Sequence, residues 1–178
     1  MQGRPGWRIM AFTMNGLTYI RKTTSPEATK QLAATLAPHL RAGDVVVLGG
    51  DLGAGKTQFV QGVAAGLGIR DQVTSPTFNI LLAYAGGSLP LYHFDLYRLE
   101  HPDDLEDVGY FETLDGDGAS FVEWGGKFPE ALPYGYLEVV LESDEQGVRT
   151  VRTHAYGERS RQLLFLWAKD SKSRLMRV

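Results

Sequence analysis

The stretch Gly50-Asp51-Leu52-Gly53-Ala54-Gly55-Lys56-Thr57 carries residue types that bind a nucleoside triphosphate. It matches the phosphate-loop pattern Gly-x-x-x-x-Gly-Lys-Thr in full. Gly53 and Gly55 let backbone N–H groups curl around phosphate oxygens where a Cβ would intrude. A helix starting near Lys56 would point its positive end at the same phosphates. Lys56 would set a point charge by the β- and γ-phosphates, and the Thr57 hydroxyl would reach Mg²⁺. The expected nucleotide-binding set therefore runs Gly50, Asp51, Leu52, Gly53, Ala54, Gly55, Lys56, Thr57 and Gln58.

A magnesium–nucleotide site needs a further protein group, usually a carboxylate at a strand end. Two candidates exist. Asp95 follows Leu91-Tyr92-His93-Phe94, and Glu123 follows Ala119-Ser120-Phe121-Val122. Lys56, Asp95 and Glu123 form the expected catalytic set, with Thr57, Asp95 and Glu123 around the metal. Which carboxylate ligates and which orients water stays open. Thr74-Ser75-Pro76-Thr77-Phe78 sets hydroxyls around a proline ahead of a strand, so Thr74, Ser75 and Thr77 are candidates for a segment that senses the γ-phosphate. The plainer alternative is a capped turn. Arg98 could meet phosphate or pair with local acids. His93 sits between apolar neighbours and reads as a core or supporting histidine. No Asn-Lys-x-Asp base-reading motif is present, so ATP is preferred to GTP, and Asp115-x-x-Gly118 reads as an ordinary turn.

These groups need elements to hold them. Val45-Val46-Val47-Leu48 is a continuous apolar run suited to a strand buried on both faces, and Lys56 to Leu67 has helical spacing. Strand, glycine loop and helix are the context that a phosphate loop requires. Residues 24–40 predict an amphipathic helix, with Thr24 or Ser25 as cap, Pro26 in the first turn and a capping-box spacing from Thr24 to Glu27. Phe78–Tyr84 and Leu89–Asp95 predict a hairpin around Gly86-Gly87. A short acidic helix is expected over 102–108, strands over 119–123, 136–141 and 148–154, and a last helix over 159–169. The fold class is α/β, a single phosphate-loop NTPase-like domain with a mainly parallel sheet, flanking helices and an antiparallel hairpin.

Composition narrows the classes. At 178 residues, one domain with short appendages is favoured. A net charge of −3 argues against a general nucleic-acid coat. Arg149, Arg152, Arg159, Arg161, Lys169, Lys172, Arg174 and Arg177 gather late in the chain and read as a solvated basic segment. No cysteine is present, which excludes disulfides, thiol catalysis and thiolate zinc sites. No run approaches a membrane span, and no signal-peptide core is visible, so a cytoplasmic location and no membrane partner are expected. Residues 1–15 are expected to be a flexible leader, 16–157 the ATPase domain and 158–178 a C-terminal helix with a basic tail.

Four motifs occur in order: Gly50 to Thr57, Thr74-Ser75-Pro76-Thr77-Phe78, His93-Phe94-Asp95-Leu96-Tyr97-Arg98-Leu99, and Glu123-Trp124-Gly125-Gly126-Lys127-Phe128 with Leu132-Pro133. Together they resemble the TsaE (YjeE) family over roughly residues 20 to 155. The resemblance implies an ATPase that binds ATP and Mg²⁺, hydrolyses weakly alone, and acts with TsaD and TsaB. Those partners modify adenosine 37 of tRNA to threonylcarbamoyladenosine, so tRNA would be met through the complex. By carry-over, Lys56 and Thr57 bind phosphate and Mg²⁺, Asp95 is the metal-linked aspartate, and Glu123 is the metal-linked or catalytic glutamate. Trp124 would pack or face a partner. Thr24 or Ser25 would touch the nucleotide.

The rival reading is a small-molecule or nucleoside kinase using the same cradle. It lacks an arginine-rich lid, since Arg70 and Arg98 are the only basic residues near mid-chain. A third reading is a nucleotide-gated binding module in which hydrolysis is incidental.

Overall fold

The computed structural model describes residues 11–13 and 16–175, with side chains from 18 to 171. The strands are β1 (Ala11–Thr13), β2 (Gly16–Thr23), β3 (Val45–Gly49), β4 (Leu81–Tyr84), β5 (Leu91–Asp95), β6 (Ala119–Glu123), β7 (Tyr136–Ser143) and β8 (Arg149–Tyr156). The helices are α1 (Pro26–Ala34), α2 (Lys56–Leu67), α3 (Asp104–Asp107), α4 (Tyr110–Leu114) and α5 (Glu158–Leu175). All eight strands join one sheet in the order β1-β2-β8-β7-β3-β6-β5-β4. The middle is parallel: β7 pairs with β3, β3 with β6 and β6 with β5. The flanks are antiparallel, through β4 on one side and β8, β2 and β1 on the other. The antiparallel part thus extends beyond the expected hairpin, because β2 enters the sheet beside β8.

Side-chain alternation sorts the core into two layers. Val46, Leu48, Leu91, Phe121, Leu137, Val139 and Leu141 face the layer that also holds Phe59 of α2 and Leu163, Leu164 and Trp167 of α5. Val45, Val47, Phe94 and Val122 face Leu105 of α3 and Tyr110 and Leu114 of α4. β3 is therefore buried on both faces, as its unbroken apolar run requires.

Local chemistry sets the helix ends. Ser25, not Thr24, caps α1: its side chain accepts from Ala28 N at 3.0 Å, so the capping box expected from Thr24 to Glu27 does not form. α1 stops at Ala34 and a 3₁₀ turn follows at Ala37–His39. Pro38 lacks an N–H and would crowd the carbonyl four residues earlier, which is why the predicted 24–40 helix breaks there. Helices α1 and α2 cross with almost no gap. A Cβ on Gly62 would fall 2.3 Å from Lys30 O, and one on Gly66 would fall 2.6 Å from Ala34 O.

The C-terminal helix is part of the core. Its buried residues Leu163, Leu164, Trp167, Ala168 and Ser171 recur at helical spacing. Trp167 meets Phe59 edge-on at 5.9 Å and Tyr19 at 5.8 Å. Its indole Nε1 donates to Thr35 Oγ1 at 2.9 Å and to Leu32 O at 3.2 Å. Of the leader expected over 1–15, Ala11–Thr13 form β1, and residues 1–10 and 14–15 lie outside the described residues. Among the described residues, no helix is long and apolar enough to cross a membrane.

Candidate functional site

The phosphate loop leaves the carboxyl end of β3 and runs straight into α2, as the sequence predicts. Gly50, Gly53 and Gly55 all have positive φ. At Gly50 the demand is double: φ is 124° and a Cβ would sit 2.2 Å from Leu141 O. Lys56 is buried; its Nζ donates to Gly50 O at 2.8 Å and Asp51 O at 3.0 Å and stands 5.2 Å from the Trp124 ring centre. The ammonium is thus held over the loop by two carbonyls and an aromatic face, and among the described residues it makes no ion pair.

The two strand-end acids come together because β5 and β6 are parallel neighbours in register. Asp95 pairs with Glu123. Both side chains are buried and both line one cleft of about 460 Å³ together with Gly53, Lys56, Thr57 and Trp124. Glu123 Oε1 lies 2.9 Å from His93 Nε2 and accepts from Thr57 Oγ1 at 3.4 Å. Asp95 Oδ2 accepts from Thr77 Oγ1 at 2.7 Å, and its Oδ1 accepts from Tyr97 N at 2.9 Å.

The segment before β4 is a turn, which corrects the strand expected from Phe78. Asn79 N and Ile80 N both donate to Pro76 O, and Ile80 adopts φ 64°. A β-branched residue in the left-handed region is strained by about 1–3 kcal/mol. The turn carries Thr77 onto Asp95, and Ser75 Oγ lies 2.8 Å from Thr77 Oγ1. Ser75 and Thr77 line the cleft; Thr74 does not, and its N–H donates to the Tyr84 hydroxyl. Trp124, at φ 61°, is the other non-glycine residue with positive φ among the described residues. Both strained positions flank the cleft, the usual location for stored backbone strain.

Other expectations resolve differently. Thr24 and Ser25 do not line the cleft. Arg98 stacks over Phe78, 5.5 Å from the ring centre. Asp115 to Gly118 precede β6 and so lie at the amino end of that strand, away from the loop. The basic C-terminal set is dispersed. Arg149 Nε donates to Ala54 O in the phosphate loop at 3.3 Å, Arg152 pairs with exposed Glu142, and Arg159 Nε donates to buried Asp44 Oδ1 at 2.9 Å. The side chains of Lys172, Arg174 and Arg177 lie outside the described residues. Arg149 is the loop contact that sequence reading missed. Its signal was its place at the start of a strand, which a count of charges conceals.

Comparisons with known proteins give the family. A family model described as Threonylcarbamoyl adenosine biosynthesis protein TsaE matches residues 23–151. The chain belongs to the TsaE family. A Bacillus subtilis tRNA threonylcarbamoyladenosine biosynthesis protein TsaE is 44% identical over 142 residues, covering 80% of this chain and 89% of that protein. Its Treponema pallidum namesake is 41% identical over 127 residues, covering 71% and 93%. A crystal structure of Bacillus subtilis YdiB superposes with TM-score 0.73 at 38% identity, covering 85% of this chain and 95% of that one. The TsaE match includes the loop, both carboxylates and the Thr77 turn, but stops before α5.

Proposed function

We propose that this chain is the ATP-hydrolysing member of the machinery that makes threonylcarbamoyladenosine in tRNA. The family supports the pathway, and one observation carries the activity: Thr57, Asp95 and Glu123 share a single cleft with the loop lysine. The residues fit ATP with Mg²⁺. Three positive-φ glycines bend the loop between β3 and the start of α2, the kind of backbone that can turn N–H groups toward phosphate oxygens. Among the described residues, no three His, Asp or Glu side chains gather into a ready metal site. Mg²⁺ would need few protein ligands here, since it completes its shell with water and phosphate oxygens.

In this reading the loop amides and Lys56 hold the β- and γ-phosphates, and Thr57 with Asp95 or Glu123 holds the metal. Bound Mg²⁺ supplies neutralisation of the charge that develops on the departing diphosphate. The remaining carboxylate orients water for in-line attack at the γ-phosphorus. Thr77 fixes Asp95 and links it to the strained turn, so that turn is the natural sensor of the γ-phosphate. TsaB-like and TsaD-like proteins are the proposed partners, with tRNA adenosine 37 modified by them. ATP turnover here resets the complex between cycles.

Reconstitution with TsaB, TsaD, tRNA and threonylcarbamoyl-adenylate tests this. Repeated cycles of modification should require this chain and ATP, and should fail with Lys56→Ala, whose ATP binding by calorimetry should vanish. Cycling that proceeds equally without the chain, or unchanged ATP affinity in Lys56→Ala, would overturn it.

A further inference from the structure

His93 is an imidazole with no exposure, placed where a leucine would fill the layer without polar atoms to satisfy. Strand alternation puts Leu91, His93 and Asp95 on one face of β5, and Ala119, Phe121 and Glu123 on the same face of β6. His93 pairs directly with Phe121, which makes Glu123 its diagonal neighbour, within reach of a long side chain. Nε2 lies 2.9 Å from Glu123 Oε1. Nδ1 is buried and has no hydrogen-bond partner.

That asymmetry assigns the proton. With hydrogen on Nδ1, a buried N–H would lack an acceptor and Nε2 would face a carboxylate lone pair to lone pair. With hydrogen on Nε2, both penalties disappear and only an acceptor is left bare. We infer that His93 is a positioning residue, in the tautomer with Nε2–H, that fixes the rotamer of the Glu123 carboxylate. Glu123 Oε1 is held by the imidazole at 2.9 Å, with the Thr57 hydroxyl a longer contact at 3.4 Å. Oε2 has no hydrogen bond from a described residue and is the oxygen left to serve the cleft. One oxygen is held so that the other is presented in a single orientation, as outer partners do for ligating or catalytic carboxylates.

The inference rests on the ATPase reading, and its test separates the two. The full-length chain is made as wild type, His93→Leu and His93→Gln. Leu keeps the volume and loses the donor; Gln keeps an N–H near the position of Nε2. Three quantities are measured: the ¹⁵N signature of the His93 imidazole in ligand-free wild type, Mg-ADP affinity by calorimetry, and kcat and KM for ATP. Wild type should show the proton on Nε2. His93→Leu should lose on the order of 10- to 100-fold in kcat, the usual effect of removing such a partner, with ADP affinity and KM nearly unchanged. His93→Gln should recover most of the rate. A proton on Nδ1, a wild-type rate in His93→Leu, or a Gln variant no better than Leu would overturn the inference. Wild type that binds ATP but never hydrolyses it would instead sink the ATPase reading, and the imidazole signature would still test the tautomer. If His93→Leu does not fold, the signature and the Gln variant decide.

Discussion

Trp167→Ala should cost about 3–5 kcal/mol, the range for emptying a large aromatic from a core. The indole is fully buried against Tyr19 and Phe59, and its N–H donates to Thr35 Oγ1, with a longer bond to Leu32 O. Cavity and lost donor act together, so the upper part of the range is expected. Native domains are stable by roughly 5–15 kcal/mol, so a loss of this size is a large fraction of the total and is readily measured. With a urea slope of about 2 kcal/mol per molar, the unfolding midpoint should drop by roughly 2 M. Equilibrium urea unfolding of the ligand-free chain, followed by circular dichroism, reads this directly. A midpoint shift below about 0.5 M, equal to about 1 kcal/mol at that slope, would refute the claim that the C-terminal helix belongs to the core.

Burial pushes the Tyr110 phenol up to about 12 from its ordinary 10.0. A raised folded-state value means stability is intact below pH 10 and is lost between pH 10 and 12, by roughly 2–3 kcal/mol at about 1.4 kcal/mol per unit. Tyr110→Phe should flatten that decline in alkaline unfolding curves, and should cost little near neutrality because the Tyr110 hydroxyl has no hydrogen-bond partner. Arg159→Ala strips buried Asp44 of its guanidinium and leaves the Arg41 N–H at 2.8 Å, so it should cost about 3–5 kcal/mol in urea unfolding. Asp95→Ala and Glu123→Ala should each leave ATP binding measurable by calorimetry while removing turnover with the partner proteins present.

Much of the site was legible because its residues sit at strand ends and in a loop with fixed chemistry. The run Val45 to Leu48 could only be a strand buried twice, and the loop and helix after it coincide with prediction. Asp95 and Glu123 were visible singly; that they share a register in neighbouring parallel strands is a fact of pairing, which no local pattern encodes. Thr77 was seen as a hydroxyl near a proline, but the turn that delivers it depends on Ile80 taking a conformation that its side chain disfavours. Gly16–Thr23 went unread as a strand although Tyr19 and Thr23 point into the core, because polar Thr18, Arg21 and Lys22 blur the alternation. The roles of Arg149 and Arg159 were hidden for the same reason: a charge count ignores what each charge touches.

The contact between α1 and α2 has a last consequence. Where helices meet through side chains, their spacing can drift as leucines exchange for methionines or valines over evolution. At Gly62 the neighbour is the backbone of Lys30, and at Gly66 it is the Ala34 backbone and the Ala37 methyl, so the joint has no long side chain that could yield. The helix that aims Lys56 and Thr57 is seated like a key in a slot, and a single added methyl would have to tilt the whole barrel of the aim. This close seat puts a steric demand on two glycines that lie outside the phosphate loop.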